Sequence, residues 1–145
     1  MMVYPAESTL IEFTDIMFEA QAYMDKAVEN LASCESELDF GRRNSCARSA
    51  YYACFQAAIA ALLNANVVSA QSGRRWSHDQ VQSRFVGELI NREKKYPASL
   101  RSTLPDLLAI RHKADYEVEG INDRVAQQVV RRAQFFVQAV REELS

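Results

Sequence analysis

Apolar residues recur at alternating steps of three and four along most of this chain. Leu10, Phe13, Met17, Ala20, Met24, Ala27 and Leu31 form the first such line. That spacing is one face of an amphipathic α-helix. Thr9 followed by Glu12 reads as a capping box at its start. Ser33 to Ser36 read as its end. A second line, Ala47, Ala50, Cys54, Ala57 and Ala61, is broadened by Tyr51, Phe55, Ala58 and Leu62. It predicts a helix over 43–64, and its alanines let neighbouring helices approach closely. Asn64 to Gly73 reads as a loop. Ser77 with Gln80 three residues on predicts the cap of a third helix, carried by Val81, Phe85 and Leu89 and fading near Lys95. Pro97 suits the first turn of a fourth helix lined by Leu100, Leu104 and Leu108. Pro105 falls inside that pattern, so a kink or restart is expected, with Thr103 and Asp106 as a local cap. Gly120 ends it. Asn122 caps a fifth helix whose inner face is Val125, Val129, Ala133, Phe136, Val140 and Leu144.

Short connections between such segments predict an all-α, up-down four- to five-helix bundle. No repeat or long linker divides the chain, so residues 1–145 are expected to form a single domain. Gly 4 and Pro 3 in 145 residues are too few for a sandwich or barrel, which needs a turn signal every ten residues or so.

The net charge of −2 hides a pattern. Residues 1–39 carry −8, 40–73 carry +3, 74–101 carry +4 and 102–145 carry −1. Two readings fit. The acidic first helix and basic middle neutralise or solvate separately, or the middle forms a basic surface for an anionic partner, RNA or nucleotide.

Three cysteines, Cys34, Cys46 and Cys54, with no CxxC make neither a disulfide framework nor a zinc site. They read as free thiols of a reducing, cytoplasmic compartment. No basic leader precedes an apolar run, and the longest such run, Ala57 to Leu63, is far too short to span a membrane. The positions three before His78 and His112 are Arg75 and Ala109, so the Glu-x-x-His of a di-iron bundle is missing. No Gly-rich phosphate loop occurs. No metal or cofactor is expected.

Two places break the apolar pattern. The fourth-helix line, continued by helical steps, lands on Arg111, Asp115 and then Val118. Charges on a core-facing stripe need partners. At i and i+4 the two can pair with each other. They are then an ion bridge between helices, or the floor of a cleft where Arg111 offers its fork to phosphate. On the second helix Arg48, Tyr51, Tyr52 and Phe55 stand at i, i+3, i+4 and i+7. Adjacent tyrosines point about 100° apart. One hydroxyl is therefore interior and needs a partner, for which Arg111 or Asp115 is at hand; otherwise the rings are ordinary core with polar tips at the rim. His78, beside Arg74, Arg75 and Trp76 in a first helical turn, reads as a capping or surface residue, or as a weak catalytic candidate.

These segments together resemble a known family. Arg48-Ser-Ala-Tyr51-Tyr52-Ala-Cys54-Phe55-Gln-Ala-Ala58-Ile-Ala60-Ala61-Leu62-Leu63 is similar to the second-helix signature of HEPN domains. Arg111-His-Lys-Ala114-Asp115-Tyr116 looks like the family's R-x-x-A-D-Y helix end, and Ser77-His78 stands where a Ser-His or Thr-His pair is common. The closing helix fits through Ala133, Phe135, Phe136, Val137 and Leu144. The resemblance spans about Ser8 to Leu144.

The resemblance implies a helical bundle, usually a homodimer, tied to RNA or nucleotide binding. It also implies a minimal nucleotidyltransferase partner in a toxin–antitoxin-type pair. Catalytic members are metal-independent RNases in which four to six residues separate an arginine from a histidine. Counted from Arg111, those places hold Tyr116, Glu117 and Val118. Tyrosine, with a pKa near 10, is a poor general base. A non-catalytic binding protein is therefore expected, with Arg111, Asp115, Tyr116, Arg48, Tyr51, Tyr52 and His78 as binding residues and no catalytic one. An RNase using His78 and a purely structural dimeric bundle are the alternatives. Tyr116 is the candidate for nucleotide modification by the partner.

Overall fold

The structure is a computed structural model. It describes residues 3–67 and 76–145, the side chains of residues 3–13 excepted. Among the described residues five α-helices follow in order: α1 Val3–Asp39, α2 Arg43–Asn64, α3 His78–Arg84, α4 Thr103–Tyr116 and α5 Asp123–Leu144. A π-helical segment, Phe85–Arg92, continues α3, and a 3₁₀ turn, Ala98–Ser102, precedes α4. Among the described residues there is no strand, and no helix is long and apolar enough to cross a membrane. The all-α bundle is as the periodicity predicts.

α1 and α2 form an antiparallel hairpin, tied by Asn30 to Gln56 at 2.7 Å and by Ser49 to Glu37 at 2.6 Å. α1 runs three residues past the predicted end. Leu38 extends its apolar seam, and Gly41 (φ +72) supplies the stop, with Arg42 N–H reaching back to the Glu37 carbonyl at 2.8 Å. Its start also differs. The helix already begins at Val3, so Thr9 is not its N-cap; the side chains of Leu10, Phe13, Thr9 and Glu12 lie outside the described residues.

α2 is the central element, packed on α1, α3, α4 and α5. Ala57 through Leu63 are all buried, which covers every face of two helical turns. The four alanines of this stretch, Ala57, Ala58, Ala60 and Ala61, let the neighbouring helices come that close. The turn just after α2 holds Asn66 (φ 61), one of the few residue types that tolerates the left-handed conformation. Most of the predicted 64–73 loop lies outside the described residues.

Ser77 caps α3 by accepting the Gln80 N–H at 3.1 Å, and Asn122 caps α5 by accepting that of Val125 at 2.9 Å. Beyond Arg84 the predicted α-helix widens. The i→i+5 turns bring Phe85, Leu89 and Ile90 inward together, leaving Gly87 on the outer side.

Pro97 is the N-cap of the 3₁₀ turn rather than a first-turn residue, and Pro105 sits in the first turn of α4, where its missing N–H has no helical partner to lose. The helix therefore restarts. Thr103 is buried and Asp106 pairs with Arg132 of α5 at 3.0 Å, so the predicted Thr103/Asp106 cap does not form. The 3₁₀ turn also shifts the helical phase. The buried residues of α4 are Thr103, Leu104, Leu107 and Ala114, with Leu108 half-buried. Arg111 and Asp115 consequently lie at the edge of the core stripe, not within it. Val118 lies beyond the helix, fully exposed.

Arg43 and Arg48 of α2 pair with Asp123 and Asp115 near the two ends of the α4–α5 connection. These cations therefore bridge to the C-terminal third of the chain, not to the acidic α1.

Candidate functional site

Six of the seven predicted site residues converge where α2, the start of α3 and the end of α4 meet. Tyr51 is the interior tyrosine, 2% exposed. Its hydroxyl is hydrogen-bonded to Nδ1 of His78, not to Arg111 or Asp115 as expected. The His78 ring lies 4.9 Å from that of Phe55 and 5.4 Å from that of Tyr51. Phe55 stacks on Tyr51 at 5.9 Å, while Tyr52 meets Tyr51 edge-on at 5.6 Å. Phe55 is the site residue that sequence reasoning placed on the stripe without assigning it a role. Its signal is its position four residues after Tyr51, on the same helical face.

Arg111 lies over these rings, its guanidinium carbon 4.8 Å from the centre of Tyr52 and 5.8 Å from that of Tyr51. A cation over an aromatic face is attracted by the ring quadrupole. Its Nε is 3.5 Å from Oδ2 of Asp115. That is an ion pair but not a hydrogen bond, and the buried Nε has no hydrogen-bond partner. The short contact of Asp115 is with Arg48, at 2.8 Å from Oδ1. Exposure falls from 49% for the Arg48 side chain to 21% for Arg111 and 15% for Asp115. The charged trio is thus partly open, and a fully buried mutual Arg111–Asp115 bridge is not what forms. Tyr116 is outside the cluster. It is 80% exposed and touches His112 edge-on at 6.0 Å.

Burial pushes the Tyr51 hydroxyl well above the usual tyrosine range, against the opposing pull of Arg111. Desolvation, then Arg111 and His112, push His78 down from its ordinary 6.5, with Asp79 opposing. Tyr51 therefore keeps its proton and His78 stays neutral. The hydroxyl and Nδ1 share one hydrogen bond, and in the Nε2–H tautomer the hydroxyl is its donor. In that tautomer the basic lone pair of the imidazole is engaged, and the ring is an oriented donor rather than a free general base.

A sign follows for stability. His78 is protonated more readily in the unfolded chain than in the folded one. Unfolding then takes up a proton below about pH 6.5, and stability declines as the pH falls through that region. Urea midpoints measured from about pH 7.5 to 5 are expected to drop, and His78→Gln to flatten the drop. A variant with an unchanged profile would remove His78 from that balance.

Among the described residues no group of three His, Cys, Asp or Glu side chains is placed to hold a metal ion. The three cysteines are free and buried, and burial pushes Cys34 up to about 12 and Cys46 up to about 11, far from reactive thiolates. A separate open cavity of about 420 Å³, lined by Arg43, Ile110, Lys113 and the residues around Gly120, includes none of the clustered residues.

No curated protein matches this chain significantly. A family model, however, matches it over residues 20–143, from the second third of α1 to the last turn of α5, and takes in the whole Tyr51–His78–Arg111 cluster. That model is the HEPN domain, and the chain belongs to the HEPN domain family.

Proposed function

We propose that this HEPN-domain protein is a non-catalytic module that binds the phosphate of a nucleotide or RNA at the Arg48–Arg111 edge. In this reading it works in the cytoplasm as a homodimer with a minimal nucleotidyltransferase partner, as one half of a toxin–antitoxin-type pair. The observation that carries the binding reading is Arg111. Its guanidinium is held over Tyr52, its buried Nε has no hydrogen bond, and half-exposed Arg48 stands beside it across Asp115. A planar fork fixed on an aromatic face is suited to phosphate. The RNase alternative would draw on His78, whose Nδ1 is hydrogen-bonded to Tyr51.

Charge reversal tests it. Arg111→Glu is expected to weaken binding of fluorescein-labelled single-stranded RNA and of AMP at least tenfold, with the helical circular dichroism retained. Equal affinity in the variant and the wild type would remove the site assignment.

A further inference from the structure

We propose that Asp115 is a built-in competitor of the phosphate ligand: its carboxylate occupies the place between Arg48 and Arg111 that phosphate takes when it binds. This rests on the reading that the Arg48–Arg111 edge receives phosphate. A carboxylate and a phosphate offer a guanidinium the same pair of acceptor oxygens. Each oxygen of Asp115 faces one arginine, Oδ1 towards Arg48 at 2.8 Å and Oδ2 towards Arg111 at 3.5 Å.

The fit of the carboxylate is incomplete. It satisfies Arg48 and leaves Nε of Arg111 buried without a hydrogen bond. An unmade bond to a buried charged donor is costly. A tetrahedral phosphate has more oxygens and a wider span, and so can engage both arginines where one carboxylate engages one.

Arg111 does not depend on Asp115 for position. It rests over Tyr52 and Tyr51, and Arg48 stands in the second turn of the central helix, its side chain half-exposed. Asp115, by contrast, is the second-last residue of α4. Glu117 is already extended (ψ 139), and its N–H makes the bond that caps the helix, to the Lys113 carbonyl at 3.0 Å. Fraying of one terminal turn withdraws the carboxylate and leaves two guanidinium groups facing one vacancy of net charge +2. Helix ends are the low-energy place for such opening.

The sign of the effect separates this from a merely structural ion bridge. In the full-length chain, Asp115→Asn keeps the shape and removes the competing charge. It is expected to bind labelled single-stranded RNA, AMP and inorganic phosphate about three- to tenfold more tightly than wild type. A structural bridge predicts equal or weaker binding. If wild type binds, Arg111→Glu does not, and Asp115→Asn gains nothing, the competitor role is overturned while the binding site stands. If wild type and both variants are equally unable to bind, the site itself is overturned and the competitor with it.

A measurement on the unaltered protein guards against misfolding of the variant. The Arg111 Nε–H resonance, identified by its loss in Arg111→Lys, should shift as inorganic phosphate is added to wild type. A resonance that stays fixed while phosphate binds elsewhere overturns the proposal. Tighter binding of RNA alone, without AMP or phosphate, would identify a phosphodiester rather than a free phosphate as the natural group.

Discussion

Phe136→Ala is expected to lower the unfolding free energy by about 3–5 kcal/mol, the cost of deleting a buried aromatic side chain together with the cavity it leaves. Phe136 is completely buried on the inner face of α5. Its ring centre lies 5.0 Å from that of Phe85, which lies 5.2 Å from that of Tyr96. The three rings join α5 to the π-helical segment and to the chain leaving it. A domain of this size is stable by only about 5–15 kcal/mol, so the loss is a large share of the total. Urea unfolding followed by circular dichroism measures it. The neighbouring Phe135→Ala is the control, because Phe135 is 55% exposed. A surface change of that kind stays within about 0.5 kcal/mol apart from lost local packing. Equal losses at the two positions would mean that the face of α5 is wrongly assigned. The effect should also reach the functional cluster. Phe85 directly follows the helix that begins with His78, so a loosened Phe85 should loosen the His78–Tyr51 hydrogen bond before the whole chain unfolds.

The periodicity of apolar residues was sufficient for the elements whose ends carry local chemistry. α2 has the boundaries its alanine line predicts, and the Ser77 and Asn122 caps form as read, because a cap is a contact over three residues. The misses have a common cause. The end of α1 was placed on serines, whereas the left-handed glycine at 41 and the seating of Leu38 decide it. The inner face of α4 reads as Leu100, Leu104 and Leu108; Leu100 and Leu104 are buried, whereas beyond the 3₁₀ turn Leu107 is inside and Leu108 only half-buried. A change of helical pitch is set by packing and leaves no mark in a three-and-four pattern.

The site shows the same division. That one adjacent tyrosine would be buried with a hydroxyl to satisfy follows from helix geometry. That its partner is His78, 27 residues away, depends on where α3 docks. Arg111 and Asp115 were legible as charges out of place, and Arg48 as part of a polar stripe. Their joining through Asp115 was not, because it depends on the crossing of α2 and α4. The residues of the family motif therefore come together in space through contacts that the packing of α2, α3 and α4 decides.

Gly120→Val is the second change expected to be severe, at about 2–4 kcal/mol, and it acts through two separable costs. Gly120 has φ +64, a conformation that disfavours side chains by about 1–2 kcal/mol, more for a β-branched one. A Cβ built there would also lie 2.5 Å from Oδ1 of Asn44. That oxygen accepts the backbone N–H of Ile121 at 3.4 Å, so moving Asn44 aside leaves a buried N–H without its partner. Two further variants apportion the loss. Gly120→Asn places a residue that tolerates the left-handed region, and so keeps the contact with Asn44 while reducing the backbone cost. Gly120→Ala in an Asn44→Ala background removes the contact and keeps the backbone cost. If the steric term is real, the double variant will be more stable than the sum of the two single losses predicts, by a coupling of order 1 kcal/mol in a double-mutant cycle. Strict additivity would leave conformation alone as the reason for a glycine here. The consequence for binding is specific. The Gly120 turn joins the end of α4, where Asp115 stands, to the start of α5, where Asp123 pairs with Arg43. Distorting it should free the last turn of α4. With Asp115 as the competitor of phosphate, a destabilised Gly120→Val chain that is still folded should bind phosphate no more weakly than wild type, although it is the less stable protein.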